Sequence, residues 1–211
     1  MADSYIQGSI AFTCTHAEMA LIEEAFQASF DLQDERTPND LTPEFLAAFP
    51  PTTPDDPCSG FLSIFPDCDF PNFGVEFEGS NRLDQPDVNI VSFWGMTDFQ
   101  AAALGGLIRH CCQDTLRQAP IGFEFAFSCS RARRDEFGGG WCAVFADRIE
   151  IETSRQALSR CIEAKHPMGT DRLADHHWVE NPDYPLADWQ AEIANADTRL
   201  GYWDWVAARC A

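Results

Sequence analysis

The chain has 211 residues, a formal net charge of −20 and 45% hydrophobic residues, with 17 Phe and 6 Trp among its aromatic residues. This length fits one domain, or one domain with a small appendage, and the apolar content excludes disorder of the whole chain. A protein this acidic is repelled by nucleic acid and by anionic membranes. We therefore expect its partner to be a basic protein surface, with no direct contact to nucleic acid or membrane.

The charge is unevenly distributed along the chain. Residues 1–97 hold 17 acidic residues against Arg36 and Arg82, whereas residues 98–165 hold nine acidic and nine basic residues. Residues 166–211 hold eight acidic and three basic residues. The acidic front half indicates either a surface for a basic partner or a charge that only keeps the protein in solution.

The beginning of the chain, MADSYIQGSIAF, contains no basic stretch and no apolar run typical of a secretory signal. No segment approaches the ~20 apolar residues of a membrane span. The nine cysteines are an odd number, which favours free thiols in a reducing compartment over a disulfide framework. We expect a cytoplasmic protein with reduced cysteines, no metal and no cofactor.

The first predicted strand ends at Thr15, and Glu18 follows three residues later. This is the spacing of a capping box, in which the threonine and the glutamate each bind a free backbone amide at a helix start. Met19, Ile22 and Phe26, with Phe30, then form an apolar stripe at helical spacing. The capping-box spacing recurs at two further places, Thr97 with Gln100 and Thr153 with Gln156.

Residues 33–60 contain six prolines and many acidic residues, which predicts an extended excursion. A short helix is expected inside it at Thr42 and Pro43. Alternating or apolar runs predict strands at 60–66, 73–79, 88–94, 121–127, 141–146 and 148–152.

This order of elements predicts an α+β fold whose mainly antiparallel sheet has helices on one face. A ferredoxin-like topology, single or doubled, is the arrangement that we favour. We expect one α+β domain at residues 1–165. Residues 166–211 would form a Trp-rich C-terminal appendage of one or two helices.

The stretch SRARRDEFGGGW at residues 130–141 joins two predicted strands. A phosphate-binding loop requires a helix, and often a lysine, after its glycines, and neither follows here. The glycines therefore predict a hairpin, with at least one of Gly138, Gly139 and Gly140 at positive φ. The three arginines of this hairpin either pair with neighbouring carboxylates or contact an acidic group of a partner. These arginines are Arg131, Arg133 and Arg134.

Catalytic and metal sites have weaker signals. Cys14 and His16 lie two residues apart at a strand–helix junction, but no third group that would orient them is recognisable. Zinc spacing is absent from the most ligand-rich segment, which contains Cys161, His166, Asp171, Asp175, His176 and His177. We assign no catalytic residue. A small cytosolic enzyme that uses a Cys/His or an arginine site remains the main alternative, and an acidic structural or accessory protein is another.

The segment SCSRARRDEFGGGWCAVFADRIEIETSRQAL resembles part of uncharacterised small proteins that bacterial phages and plasmids carry. The resemblance extends over about Asn89–Leu158. It implies a mobile genetic element in a bacterial cytosol, and it implies no activity and no role for any residue.

Charge and context together suggest a DNA mimic. Duplex DNA presents one charge per ~1.7 Å of its axis, and an acidic helix and loop could present a comparable density to a Lys/Arg-lined groove. The leading hypothesis is therefore an inhibitor that binds a host nucleic-acid-binding defence complex of the CRISPR or restriction type. The candidate contact residues, besides the three arginines, are Glu18, Glu23, Glu24, Asp31, Asp34, Glu35, Asp40, Glu44, Asp55 and Asp56.

Overall fold

The computed structural model describes residues 3–38, 40–81, 88–131, 137–165, 183–195, 198 and 202–210. The chain divides into two compact units, residues 1–157 and residues 158–211. Among the described residues, no helix combines the length and the apolar character that a bilayer crossing requires.

The first unit is built on a sheet whose described strands are β1 (Ser4–Thr15), β2 (Glu76–Asn81), β3 (Val88–Gly95), β4 (Ile121–Cys129), β5 (Gly138–Val144) and β6 (Ile149–Thr153). The helices that begin in this unit are α1 (His16–Gln33), α2 (Pro43–Ala48), α3 (Ser59–Leu62), α4 (Ala101–Cys111), α5 (Gln113–Gln118) and α6 (Ser154–Lys165).

The six strands form one sheet in the order β2-β3-β1-β4-β5-β6, and every neighbouring pair is antiparallel. The predicted α+β fold with a mainly antiparallel sheet is therefore confirmed. The first four strands and their connecting helices follow the succession β-α-β-β-α-β, and β5 and β6 extend the sheet beyond them. The ferredoxin-like topology stays an interpretation of this order.

On the central strands β3 and β4, residues alternate between a face that packs against helices and a face that is open. On β3, Val91 and Phe93 are fully buried, whereas their neighbours Ser92 and Trp94 are half-buried. The Phe93 ring stacks on Phe26 of α1 and on Phe77 of β2, with centroid distances of 5.8 and 5.7 Å. Burying these rings beneath α1 is the main source of stability on this side of the sheet.

Two of the three predicted capping boxes are present. At the start of α1, Glu18 N donates to Thr15 Oγ1 at 3.2 Å and Thr15 N donates to the Glu18 carboxylate at 2.9 Å. Thr153 and Gln156 make the same pair of bonds at the start of α6.

The third predicted box, at Thr97 and Gln100, is wrong. The helix α4 begins after Gln100, whose side chain makes no capping bond to the helix. The carbonyl of Thr97 instead accepts a hydrogen bond from the backbone of Ile6 at 3.0 Å, so this segment extends the pairing of β1. A backbone hydrogen bond to the distant strand β1 therefore forms here, in place of the predicted cap of α4.

The Pro-rich excursion at residues 33–60 is tied to the core rather than extended away from it. It contains α2, where Thr42 caps the helix as predicted, and it buries Phe45 and Phe49 almost completely. The strand predicted at 60–66 is also wrong, because that segment forms α3 and turns that bring Phe61 and Phe65 into the same aromatic cluster.

Among its described residues, the second unit contains the larger part of α6 and two further short helices, α7 (Leu186–Ala194) and α8 (Tyr202–Cys210). Trp205 is buried between α7 and α8, and its indole N–H donates to the Glu192 carboxylate at 2.8 Å. The guanidinium of Arg209 lies 4.1 Å from the centre of the Trp205 ring and also pairs with Glu192. A tryptophan and an ion pair thus join the two helices. Trp178, another tryptophan of the predicted appendage, lies outside the described residues.

Candidate functional site

The candidate carboxylates of the front half fall into four structural classes. Glu18 belongs to the first class, because only 4% of it is exposed. Besides capping α1, its carboxylate accepts hydrogen bonds from the backbone N–H of Thr115 at 2.8 Å and from the Thr115 hydroxyl at 2.6 Å. Glu18 therefore joins the starts of α1 and α5, and its assignment to a partner-binding surface is wrong.

The second class consists of partly buried carboxylates that bind the protein's own backbone. The Glu24 carboxylate accepts bonds from the backbone N–H and the hydroxyl of Thr42, at 2.7 and 2.6 Å. Asp56 accepts a bond from the backbone N–H of Cys58 at 2.8 Å. These two side chains hold the excursion in place, which leaves fewer of their oxygens available to a partner.

The third class lies at the C-terminal end of α1. Asp31, Asp34 and Glu35 follow one another there, and the last turn of the helix contains no basic residue. Negative charge is unfavourable at this end, because the free carbonyls already make it the negative pole of the helix dipole. Arg36 offsets part of the cost by pairing with Asp31 at 3.3 Å and with Asp34 at 2.7 Å.

Glu35 has an unusual backbone conformation, with φ = 55°. Its N–H bonds to the carbonyl of Leu32 and the next N–H, of Arg36, bonds to the carbonyl of Asp31, at 3.1 and 2.8 Å. These are the two bonds of a Schellman motif, whose left-handed position is usually occupied by glycine. A glutamate at this position makes the helix end less stable than a glycine would.

The remaining candidates of the front half are exposed, and none of them takes part in a described ion pair. Asp40 is the second non-glycine residue at positive φ among the described residues, at 61°. Because Thr42 is bonded to Glu24, Asp40 and Glu44 lie beside α1. Together with Asp34 and Glu35 of the third class, these exposed residues form a set that we call the front-half carboxylates. The set consists of Glu23, Asp34, Glu35, Asp40, Glu44 and Asp55.

The three glycines of the arginine hairpin lie in strand β5 and not in the turn before it. Gly138 has φ = 151°, which confirms the predicted positive φ. A Cβ on Gly140 would come within 2.7 Å of the Glu152 carbonyl oxygen, and one on Gly139 within 2.5 Å of the Phe125 carbonyl oxygen. The glycines therefore allow neighbouring strands to approach. Arg131 is exposed, and Arg133 and Arg134 lie outside the described residues.

The alternative nucleophile, Cys14, is buried in the core. Burial, and to a smaller extent the charge of Glu18, raises the pKa of its thiol to about 12. The thiol is thus protonated at neutral pH and is a poor nucleophile. His16 lies on the exposed side of the junction, with its Nδ1 atom 2.9 Å from the Asn89 amide nitrogen.

Three further buried cysteines are equally poor nucleophiles. Burial raises the pKa of Cys111, Cys112 and Cys142, and the eight cysteines whose state is described are free thiols. Among the described residues, no group of three His, Cys, Asp or Glu side chains could hold a metal ion. Of the ligand-rich segment, Cys161 is exposed, and His166, Asp171, Asp175, His176 and His177 lie outside the described residues.

The open face of the sheet carries a second set of carboxylates that the sequence reasoning missed. The six strands contain five glutamates and no lysine or arginine. The strand register places all five on the open face, and all but Glu152 are exposed: Glu76, Glu78, Glu124, Glu150 and Glu152. Glutamate alternates with phenylalanine in EFE at residues 76–78 and in FEF at residues 123–125. This alternation is the sequence pattern that indicates glutamates pointing away from the core.

Two tryptophans share this face with the glutamates. Trp94 of β3 lies directly opposite Glu76 of β2, and Trp141 of β5 lies directly opposite Glu124 of β4. On the two strands between the tryptophans, β1 and β4, the open face carries small exposed residues around Glu124, which are Ser9, Ala11, Gly122 and Ala126. The sequence could not reveal these cross-strand pairs, because they depend on the register between strands.

In comparisons with protein-family models, with curated proteins and with solved structures, no match to this chain was found.

Proposed function

We propose that this protein acts by binding a strongly basic surface of another protein, where it competes with nucleic acid. The biological setting that we propose is inhibition of a host defence complex of the CRISPR or restriction type by a protein from a mobile element. The front-half carboxylates would make the contact, and the partner surface would be a groove lined by lysine and arginine.

The observation that carries this proposal is the position of the charges at the end of α1. Solubility requires only that carboxylates be exposed somewhere on the surface. Here Asp34 and Glu35 lie at the negative pole of a helix, and Glu35 also occupies a left-handed backbone position. Charged residues at positions where they reduce stability are typical of surfaces that are used in binding.

The electrostatics of the front half support the same conclusion. Arg36 is the only basic residue among the described residues from 3 to 81. A partner that approaches this side therefore meets carboxylates with little local neutralisation. Steering by such a field can raise association rates by ~10- to 10³-fold at low ionic strength.

The test uses purified DNA-cleaving defence enzymes, both restriction endonucleases and RNA-guided nucleases, in a DNA-cleavage assay. We expect inhibition of at least one enzyme, relieved by excess duplex DNA. The inhibition should weaken steeply between about 50 and about 500 mM salt, where the screening length falls from roughly 14 to 4 Å. The triple variant Glu23→Gln, Asp34→Asn, Glu35→Gln should weaken it further.

The control variant removes three exposed carboxylates from regions where acidic and basic residues are balanced, Asp114→Asn, Asp147→Asn and Glu163→Gln. It changes the net charge by the same amount, and the affinity for the inhibited enzyme should stay within about threefold of the original. Equal weakening by both triple variants would show that only net charge matters. Absence of inhibition throughout the panel would contradict the proposal.

A further inference from the structure

The open face of the sheet contains two copies of one local arrangement, a tryptophan directly opposite a glutamate on the neighbouring strand. The pairs are Trp94 with Glu76 and Trp141 with Glu124. On its other side Trp141 also lies opposite Glu152, which is buried. Directly opposite residues of an antiparallel pair have Cβ atoms ~5 Å apart, so each carboxylate can reach the edge of its indole ring. We refer to these as the two Trp–Glu pairs.

The carboxylates of both pairs are free to bind a ligand. Glu76 and Glu124 are exposed, and within the described part of the chain neither forms a hydrogen bond or an ion pair. Arg148, which directly precedes β6, is bound to Asp147 and Glu150 instead. The Trp141 ring is 37% exposed, which is unusual for a side chain of its size.

The chemistry of each pair fits a guanidinium group. A planar cation stacks on the face of an indole ring and is attracted by the ring's negative face. The same guanidinium can donate two parallel hydrogen bonds to a carboxylate. An ammonium group has no planar face for stacking and no fork for bidentate bonding, so lysine should bind less well.

The separation of the pairs defines the spacing of the ligand. Trp94 and Trp141 lie on β3 and β5, which are separated by β1 and β4. Three strand spacings of ~4.8 Å give about 14 Å between them. An extended polypeptide covers this distance in four residues and directs the side chains of residues i and i+4 to the same side.

The surface between the pairs leaves room for a polypeptide backbone. Ser9 lies opposite Trp94, and Ala11, Gly122 and Ala126 lie to the sides of the row that joins the two indole rings. These residues are exposed and small, so the surface around Glu124 is low. The five strand glutamates, with no lysine or arginine in any of the six strands, make this face attractive to a cationic segment.

We propose that the open face of the sheet binds an extended segment of a partner protein that carries two arginines four residues apart, with one guanidinium held by each Trp–Glu pair. This site uses none of the front-half carboxylates. It is therefore independent of the proposed function, and either can fail alone.

The test measures the binding of a capped, fluorescently labelled Gly/Ser peptide with two arginines four residues apart, by fluorescence polarisation with the full chain. Two comparison peptides carry the arginines two residues apart, or lysines in place of arginines. We expect the first peptide to bind about tenfold more tightly than either comparison peptide.

Matched glutamate variants separate the pairs from the general charge of the face. The double variant Glu76→Gln, Glu124→Gln should weaken peptide binding about tenfold or more. The double variant Glu78→Gln, Glu150→Gln removes the same charge from the same face, but neither residue lies opposite a tryptophan. It should change the affinity less than about threefold.

The stacking partners are tested by Trp94→Leu and Trp141→Leu, each expected to weaken binding severalfold, with circular dichroism to verify folding. Equal effects of the two glutamate double variants, equal binding of the lysine peptide, or no measurable binding of the arginine peptide would each overturn the proposal. The triple variant Glu23→Gln, Asp34→Asn, Glu35→Gln should still bind the peptide, which distinguishes this site from the front-half carboxylates.

Discussion

The same strands form both faces of the sheet, but the two faces carry different kinds of side chain. Phe93 and Phe123 point into the core beneath the helices, while the adjacent Trp94 and Glu124 point to the open face. No glutamate of the six strands lies on the helix-covered face. Carboxylates in this protein are thus either bound within the fold, as Glu18 is, or kept on surfaces that face solvent. Net charge alone therefore does not identify a binding surface. Burial and the hydrogen bonds of each carboxylate within the fold determine which charges remain available to a partner.

The largest expected effect compares two adjacent residues of β3. Phe93 is 1% exposed and stacks on Phe26 and Phe77, so Phe93→Ala should reduce the free energy of unfolding by about 4 kcal/mol. Trp94 is half-buried on the open face, and Trp94→Ala should cost about 1 kcal/mol despite the larger side chain. Urea unfolding followed by circular dichroism measures both. Similar losses for the two variants would mean that the open face is covered in solution.

An intermediate effect compares two glutamates, one buried and one exposed. Glu18 accepts bonds from Thr15 and from both donors of Thr115, and an amide at this position would turn an NH₂ group toward one of them. We expect Glu18→Gln to reduce the free energy of unfolding by about 2 to 3 kcal/mol. Glu124→Gln on the open face should change it by less than about 0.5 kcal/mol.

The same urea series checks this comparison, with Thr115→Ala as the partner variant. If Glu18 acts through Thr115, the double variant should be less destabilised than the sum of the single ones, because both substitutions affect the hydrogen bond between the Thr115 hydroxyl and the Glu18 carboxylate. If Glu18→Gln left the free energy of unfolding unchanged, this result would contradict the structural role of Glu18. Glu18 would then again be a candidate contact residue.

Much of the fold could be predicted from local sequence patterns. Alternation predicted β4 and a β-like run predicted β3, and the capping boxes at Thr15 and Thr153 predicted the starts of α1 and α6, since these features depend on residues within a few positions of one another. Errors arose where a distant segment decided the structure. The carbonyl of Thr97 is used by Ile6, and Phe61 and Phe65 join a cluster with Phe49 that favours a helix over a strand.

The candidate sites were less predictable than the fold. The capping box itself indicated a structural role for Glu18, but its second partner, Thr115, lies 97 residues away and carries no local signal. The Trp–Glu pairs depend on the register between β2 and β3 and between β4 and β5, which alternation within one strand does not determine. The glutamates could be placed on the outer face from sequence, but their neighbours across the strands could not.

The smallest expected effect extends the comparison to the end of α1, where a carboxylate is retained at a cost. Glu35 occupies the left-handed position of a Schellman motif, so Glu35→Gly should increase the free energy of unfolding by about 0.5 to 1 kcal/mol. Glu35→Gln keeps a side chain at that position while it removes the charge, and its stability should stay within about 0.3 kcal/mol of the original. Glu35→Asn should fall between the two, because asparagine tolerates this conformation better than glutamate. Thermal unfolding at one salt concentration ranks the three variants.

If the Glu35 carboxylate contributes to binding, all three variants should weaken inhibition of the partner enzyme to a similar extent, although their stabilities differ. A stabilised Glu35→Gly variant that inhibits as well as the original protein would show that Glu35 contributes only to surface charge, and the front-half contact would then have to rest on the other exposed carboxylates.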